Sequence, residues 1–516
     1  MGKLNSSSIL SRGDAALVQF ALQKPQFKKG MESGDPLIAV WSIWAELYKT
    51  KDFSDASKKI DMVIQSWDLN KTPKLTYKYA YQELEAGWWS SMDMLLMPLL
   101  LTTVWQETGN TEYLKLARGM LKIALTSPTT GGSLWPDDGN GCWFSEYSWP
   151  GMTQAQEYYV LNGHLFSLTA LKLLADAWRD DKLAAVFDCA VKGTKTRIKE
   201  FEGKNGWPLY QLVPATINMP HYVIFEQMQF GNLNALSKDP IWREQLSLRQ
   251  SILERQYPVY LVRNGKEQFL FFSGIGAPHP YEPDLFLNEI ECHGGKKASL
   301  KRIEAETLPK GRFYQSTPVN FKIDRCDVYS LIGAENKKIK IFSTRNIVQI
   351  QDEAPKKLAP SVEAAFDAVY ESKDQVRIDP SLSFSSDGKS HYLDTQGRIT
   401  FRFPEIALKP ETLLAVELTS DSSLDTGAIF FSKDASISRY YRPLIKDKNN
   451  LVVLSNLGFD KSELISSIDA MSIVIWTDKM EKTAQIKVGD LYLIENNYQL
   501  YSLLRTGRAV INFSQQ

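Results

Sequence analysis

Four times in its first half the chain repeats one design: a helix with an apolar face, a short polar turn, then a second helix. The copies are WSIWAELYKTKDFSDASKKIDMVI from Trp41, LLTTVWQETGNTEYLKLARGMLKIAL from Leu100, LTALKLLADAWRDDKLAAVFDCAV from Leu168 and FGNLNALSKDPIWREQLSLRQSIL from Phe230. Their turns fall near Lys51, Gly109, Asp180 and Asp239, roughly sixty residues apart, with Ser54, Asn110 and Asp239 as capping side chains. A lone helical hairpin cannot bury its apolar face, so such units must stack, which predicts a solenoid or toroid. Each unit is longer than a hairpin requires, so long loops join successive hairpins at one end, around 77–89, 131–159 and 203–222. The expectation is an incomplete α/α toroid over residues 1–255 with a cleft lined by those loops.

After Tyr257 the period changes from helical to alternating. EQFLFFSG, DLFLNEIEC, SLKRIEA and IKIFSTRNIVQI predict a small β-sandwich over 256–355, and DEAPKKLAPS from Asp352 reads as a linker. RITFRFPE, LLAVELTS, GAIFFSK, RYYRPLI, NLVVLSNL, SIVIWTD and IKVGDLYLIE then predict a C-terminal jelly-roll sandwich over 356–516. Tyr440 and Tyr441 are candidate stacking residues for a carbohydrate there, the alternative being a structural brace. The fold class expected is multidomain α plus β, a toroid followed by two all-β sandwiches.

Bulk charge narrows the function. Lys plus Arg and Asp plus Glu stand at 60 each, so no global field favours nucleic acid or an anionic membrane. The longest apolar run, Met92 to Leu101, contains Asp93 and Pro98 and is too short to span a bilayer. The start MGKLNSSSILSRGDAALVQF lacks a signal-peptide core, and its Met1-Gly2 fits a myristoylation pattern only superficially. Cys142, Cys189, Cys292 and Cys326 lie far apart without CxxC spacing, which reads as a reducing compartment. Together these point to a cytoplasmic or membrane-peripheral setting rather than secretion, and they leave a homodimer open. His164, His221, His279, His293 and His391 show no ligand spacing, so neither a metal nor another cofactor is expected.

The chemistry concentrates in CWFSEYSWPGMTQAQEYY, from Cys142 to Tyr159. Aromatic rings stack on the apolar faces of pyranoses, while carboxylates and phenols orient hydroxyls or move protons, so this loop suits a sugar site. The plainer reading is that these rings plug a core where a loop crosses helix ends. Asp137 and Asp138 in WPDDGNG hint at glycoside hydrolysis, although adjacent aspartates in a turn point different ways.

Two stretches carry a family resemblance. Leu84 to Met92, LEAGWWSSM, resembles the LEPGWYSAM element of the D-glucuronyl C5-epimerase C-terminal domain, and Val160 to Leu168, VLNGHLFSL, resembles its VLNGFxxSLxGL element. Glu146-Tyr147 is similar to the family's EYP, Gly206 to Tyr210 falls at its YDL element, and HYVIFEQ from His221 falls at YHTTHINQ. The resemblance covers about residues 75–255. It departs at Pro220, where a catalytic tyrosine is expected, and at Gln211, which replaces an acidic residue. In the vertebrate-type enzyme the β-domains precede the helical domain; here the predicted β blocks follow it.

What the resemblance implies is a protein acting on a uronate-containing polysaccharide or oligosaccharide by C5 epimerisation of D-glucuronyl residues, an isomerase. Tyr147, Tyr210 and His221 would be catalytic, with Tyr222 compensating for Pro220. Trp88, Trp89, Trp143, Glu85, Glu146, Asn162 and Gln227 would bind substrate. For each the duller reading is a core phenol, ring, cap or ion pair. Competing functions are a polysaccharide lyase or glycoside hydrolase on the same scaffold, or a non-catalytic glycan-binding protein of bacterial surface-polysaccharide assembly.

Overall fold

The computed structural model describes residues 26–81, 83–203, 206–218, 220–256, 258–272, 287–294, 297–301, 317–319, 322–332, 337–365, 390–393, 396–409, 412–421, 424–432, 435–437, 442–455, 467–476 and 484–505. Tyr440 and Tyr441, the candidate stacking pair, lie outside them. The chain divides into two compact units, one of Met1–Ile252 with Ile332–Lys337, the other of Leu253–Leu331 with Lys338–Gln516.

The first unit is helical. A short helix α1 (Phe27–Ser33) precedes four hairpins: α2 (Pro36–Thr50) with α3 (Phe53–Ser66), α4 (Ser91–Thr108) with α5 (Thr111–Ala124), α6 (Leu161–Trp178) with α7 (Asp181–Arg197), and α8 (Pro220–Ser237) with α9 (Pro240–Gln256). All four hinges share one two-residue device. Lys51, Gly109, Arg179 and Lys238 each take a left-handed φ, between 53 and 74°. The residue after each is an Asp or Asn whose carboxylate or amide oxygen accepts from an amide of the next helix. Asp52, not the expected Ser54, is therefore the cap of the first hairpin, and Ser54 lies inside α3.

The two helices of a hairpin bury different amounts of surface. In α4 every residue from Ser91 to Val104 is buried, and in α6 every residue from Leu161 to Ala175 except Lys172. Their partners bury one stripe, such as Tyr113, Ala117, Met120, Leu121 and Ala124 of α5, and leave the rest to water. The first helices also neighbour one another in order, α2 against α4, α4 against α6 and α6 against α8. Ser91 of α4 and Ser167 of α6, buried residues of the two stretches that resemble the epimerase family, meet through a 2.9 Å hydrogen bond.

Among the described residues the second unit holds four larger sheets. Strand Ile347–Gln351 runs parallel to Val259–Asn264, which pairs antiparallel with Glu267–Phe271. A separate sheet takes the order Lys337–Thr344, Ile323–Ile332, Leu287–Gly294, Lys297–Lys301. A five-stranded sheet centres on Leu413–Ser420 and Ala484–Ile494, and a six-stranded one on Gln396–Ala407, Ser467–Trp476 and Leu424–Ser432. Strand Leu413–Ser420 is buried on both faces, its alternate side chains going to opposite sides of the sheet. Leu414, Val416 and Leu418 join Phe401, Ile473 and Ile486 in one core. Leu413 and Ala415 join Tyr260, Phe271, Tyr498 and Leu504 in another.

Two readings change here. The expected linker from Asp352 forms strands Lys356–Leu358 and Ser361–Ala365, each at a sheet edge. Pro355 and Pro360 stand just before them, where a missing N–H costs no ladder bond. Helix Asn497–Arg505, unanticipated in sequence, packs Tyr498, Leu500, Leu503 and Leu504 into the second core.

Candidate functional site

The loop from Cys142 to Val160 is pinned at several points. Cys142 is disulfide-bonded to Cys189 of α7, and the Cys142 amide donates to the Cys189 carbonyl at 3.0 Å. Backbones approach so closely here that a Cβ on Gly193 would lie 2.1 Å from the Cys142 carbonyl oxygen. Cys292 and Cys326, Cα partners on adjacent antiparallel strands, form a second disulfide. The expectation of four reduced cysteines is thus overturned, because pairing depends on Cα proximity in the fold and not on spacing in sequence.

Downstream, strand β1 (Leu134–Trp135) pairs with β2 (Trp143–Phe144). The Ser91 amide donates to the Ser145 carbonyl at 3.1 Å, and Trp89 and Ser148 exchange two backbone bonds of 2.9 Å. Glu146 and Tyr147 are thereby held between the N-termini of α4 and α6. Gly163, in the first turn of α6, lies under Glu146, and a Cβ there would sit 2.3 Å from Glu146 Oε2. The glycine of the VLNG stretch is needed for that approach.

A short strand pair, β3 (Leu209–Leu212) with β4 (Ala215–Ile217), brings Tyr210 from the far side. The Tyr210 hydroxyl donates to Glu146 Oε1 at 3.2 Å, and the Tyr147 and Tyr210 hydroxyls are 3.2 Å apart. Tyr222, in the first turn of α8, lays its ring 4.8 Å from that of Tyr210. Burial pushes the Glu146 carboxyl up to about 7, against the pull of the Tyr147 and Tyr210 hydroxyls and the Gly163 amide. Burial, then the Glu146 charge, pushes both phenols well above their ordinary range. Near neutral pH the set therefore holds a carboxyl poised between its two forms beside two protonated phenols.

Of the other expected residues, Trp88 lies beside this group. Its ring stacks on Tyr77 at 3.6 Å and tilts against Tyr147 at 5.7 Å. Trp89 and Trp143 do not reach it. Trp89 is buried, donates from Nε1 to the Gly132 carbonyl, and carries the Lys74 ammonium over its ring. Trp143 is buried on His164, the rings stacked 3.8 Å apart and parallel within 2°. Neither ring has a face open to a sugar. Glu85 is exposed on the turn before Trp88. Asn162 is buried and accepts from Gln229 of α8 at 3.2 Å, and Gln227 is buried one residue after Glu226, whose carboxylate pairs with fully buried Arg249. His221 falls in the first turn of α8, with its side chain outside the described residues. Gln211 is taken up locally, donating to the Pro214 carbonyl at 3.1 Å.

Sequence reasoning missed Tyr81, Tyr158 and Asp93. The first two pack on Tyr147 at 5.9 Å each, one nearly parallel and one edge-on. Asp93 of α4 is fully buried. Burial, then the Asp35 charge, pushes its carboxyl well up. No spacing marks these positions; only the loops of Tyr81 and Tyr158 and the helix of Asp93 were legible. Among the described residues no group of three or more His, Cys, Asp or Glu is placed to hold a metal ion, and no helix is long and apolar enough to cross a membrane.

With this geometry in place, comparison with known proteins is direct. Residues 64–251 match the family model described as the D-glucuronyl C5-epimerase C-terminus, the family whose motifs the two stretches resemble. No curated protein matches the chain. Among solved structures it is similar to an unsaturated glucuronyl hydrolase from Streptococcus agalactiae, at 13% identity, covering 49% of this chain and 64% of that one, TM-score 0.32. It is similar to a sugar epimerase from a ruminal bacterium at 11% identity, covering 44% and 60%, TM-score 0.30. A GH76 α-mannanase from Bacteroides thetaiotaomicron follows at 12% identity, covering 48% and 61%, TM-score 0.29. The chain thus spans less than two thirds of the length of each of these three structures.

Proposed function

We propose that the protein is a carbohydrate-active enzyme that epimerises D-glucuronyl residues at C5 within a uronate-containing polysaccharide. The observation that supports this most is the contiguous set Tyr147, Tyr210 and Glu146, with two hydroxyl contacts of 3.2 Å and a carboxyl pushed up to about 7. In this reading Glu146 is more than the substrate-binding acid its motif position implies. As carboxylate it takes the C5 proton, the C5–H bond electrons passing into the uronate carboxyl as an enolate-like pair. The hydrogen-bonded phenols of Tyr147 and Tyr210 together return a solvent-exchanged proton to the opposite face of C5, after which Glu146 releases the abstracted proton to water and the phenolate regains one from water. No electrons are gained or lost overall. Tyr147 and Tyr222 are half-buried whereas Glu146 is 7% exposed, so substrate approaches past the phenols.

The same proposal takes the four hairpins, within residues 1–255, as an incomplete α/α toroid carrying this site. Residues 256–355 and 356–516 are taken as sandwich modules that follow it in the sequence. Incubation with uronate polysaccharides in deuterated water tests it. Deuterium at C5 without chain cleavage is expected, falling at least about a hundredfold in Tyr147→Phe and Tyr210→Phe. Unsaturated uronate ends would instead make it a lyase, and saturated new reducing ends a hydrolase.

A further inference from the structure

Tyr210 stands at an irregularity in its hairpin. Leu209 pairs with Ile217 and Gln211 with Thr216, so the register skips Tyr210 and leaves it as a bulge. A bulged residue takes its direction from what holds the strand on either side of it. At the tip, the Leu212 and Val213 amides donate to the Tyr158 carbonyl at 3.0 and 3.1 Å. At the base, buried Asn218 closes the hairpin. Its amide donates to the Pro208 carbonyl at 2.8 Å, and its carbonyl accepts from Trp207 Nε1 at 2.6 Å.

The Asn218 side chain leads away from the hairpin into the helices. Its Nδ2 donates to Glu226 Oε1 of α8, and Glu226 Oε2 accepts from Arg249 Nε of α9 at 2.7 Å. Arg249 Nη1 also donates to Gln245 Oε1 at 2.9 Å, and the guanidinium lies 5.3 Å over the Phe230 ring. Glu226 and Arg249 are both fully buried. Taking two ions out of water costs more than burying an apolar pair of similar volume, so this pair is better suited to fixing geometry than to adding stability. Glu226 lies one turn after Tyr222 on α8, so the chain of bonds ties the hairpin that bears Tyr210 to the helix that bears Tyr222. We propose that Glu226, held in place by Arg249, is a positioning residue: through Asn218 it sets the β3–β4 hairpin so that the Tyr210 hydroxyl reaches Glu146. This rests on the site assignment under "Proposed function" and adds to it the residues that align one of its phenols.

Two double variants separate the acceptor from the charge. Glu226→Gln with Arg249→Met keeps an oxygen for Asn218 and leaves no buried ion, whereas Glu226→Leu with Arg249→Met keeps neither the ion nor the oxygen. Each is read by C5 exchange in deuterated water and by the titration of the Glu146 carboxyl, followed by carbon-13 NMR of glutamate-labelled protein and assigned by its loss in Glu146→Gln. The glutamine variant should stay within about threefold of wild-type exchange and titrate, like the wild type, at about 7. The leucine variant should lose about tenfold or more in exchange. Its Glu146 titration should move upward, because the Tyr210 hydroxyl that pulls it down has withdrawn. Asn218→Ala, which spares the ion pair, should reproduce the leucine result and decides the matter should the leucine variant not fold. Wild-type exchange and titration in both of these would overturn the positioning role. Equal losses in the glutamine and leucine variants would overturn it too, since packing and not the Asn218 contact would then be at fault. A titration moved as expected, in a protein whose wild type shows no C5 exchange, would support positioning and contradict epimerisation.

Discussion

At the scale of single residues, Glu146 decides the pH behaviour. Exchange at C5 should rise as pH passes through about 7, because the base form is lost on the acid side. Stability carries the opposite sign. The folded protein holds this proton more tightly than an unfolded glutamate, whose carboxyl ordinarily titrates at 4.5, so the stabilising contribution is full below that value. It is lost as pH rises towards about 7, amounting to about 3 kcal/mol. Glu146→Gln should abolish exchange and remove the pH dependence of stability, read by C5 exchange rates and by denaturant melts at acid and alkaline pH. Gly163→Ala should displace Glu146, costing about 1–3 kcal/mol and slowing exchange more than about tenfold while wild-type helicity is retained. Glu146 and Tyr147 were legible in sequence because their types name their chemistry. The role of Gly163 was not, because a missing Cβ shows its purpose only beside the carboxylate it makes room for. Trp89 and Trp143 misled for the converse reason: a tryptophan looks the same in sequence whether it faces a sugar or a core.

At the scale of elements, the four hairpins were legible from apolar periodicity, and their hinges from polar turns. What periodicity could not show is that a left-handed residue followed by Asp or Asn ends one helix and starts the next in every case. Asp180 accepts from both the Lys182 and Leu183 amides, so Asp180→Ala should cost about 1 kcal/mol in thermal or denaturant melts. The disulfide between Cys142 and Cys189 closes a loop across a sequence separation of 47 and tethers the loop that carries Glu146 and Tyr147 to α7. Cys142→Ser should therefore cost about 4 kcal/mol by loop-closure entropy, and non-reducing peptide mapping should recover the pair from the wild type. Cysteine spacing pointed the other way because nothing in a sequence says which helix a distant loop will cross.

At the scale of the whole molecule, the change from helical to alternating pattern near Tyr257 was legible, and the second unit begins at Leu253. The shared burial of that unit was not legible. Strand Leu413–Ser420 contributes one face to each of two cores, which a run such as LLAVELTS suggests only once both neighbours are known. Leu414→Ala should cost about 3 kcal/mol and lower hydrogen-exchange protection in Gln396–Ala407 and Ala484–Ile494 together. Of the two units, the first carries the proposed chemistry, and a single measurement addresses it most directly. That measurement is NMR of a glucuronate polysaccharide after incubation with the enzyme in deuterated water. The proposal predicts deuterium at C5 with chain length unchanged, and its loss in Tyr147→Phe and Tyr210→Phe. Full retention of the C5 hydrogen, or equal deuterium uptake with both phenols removed, would contradict it.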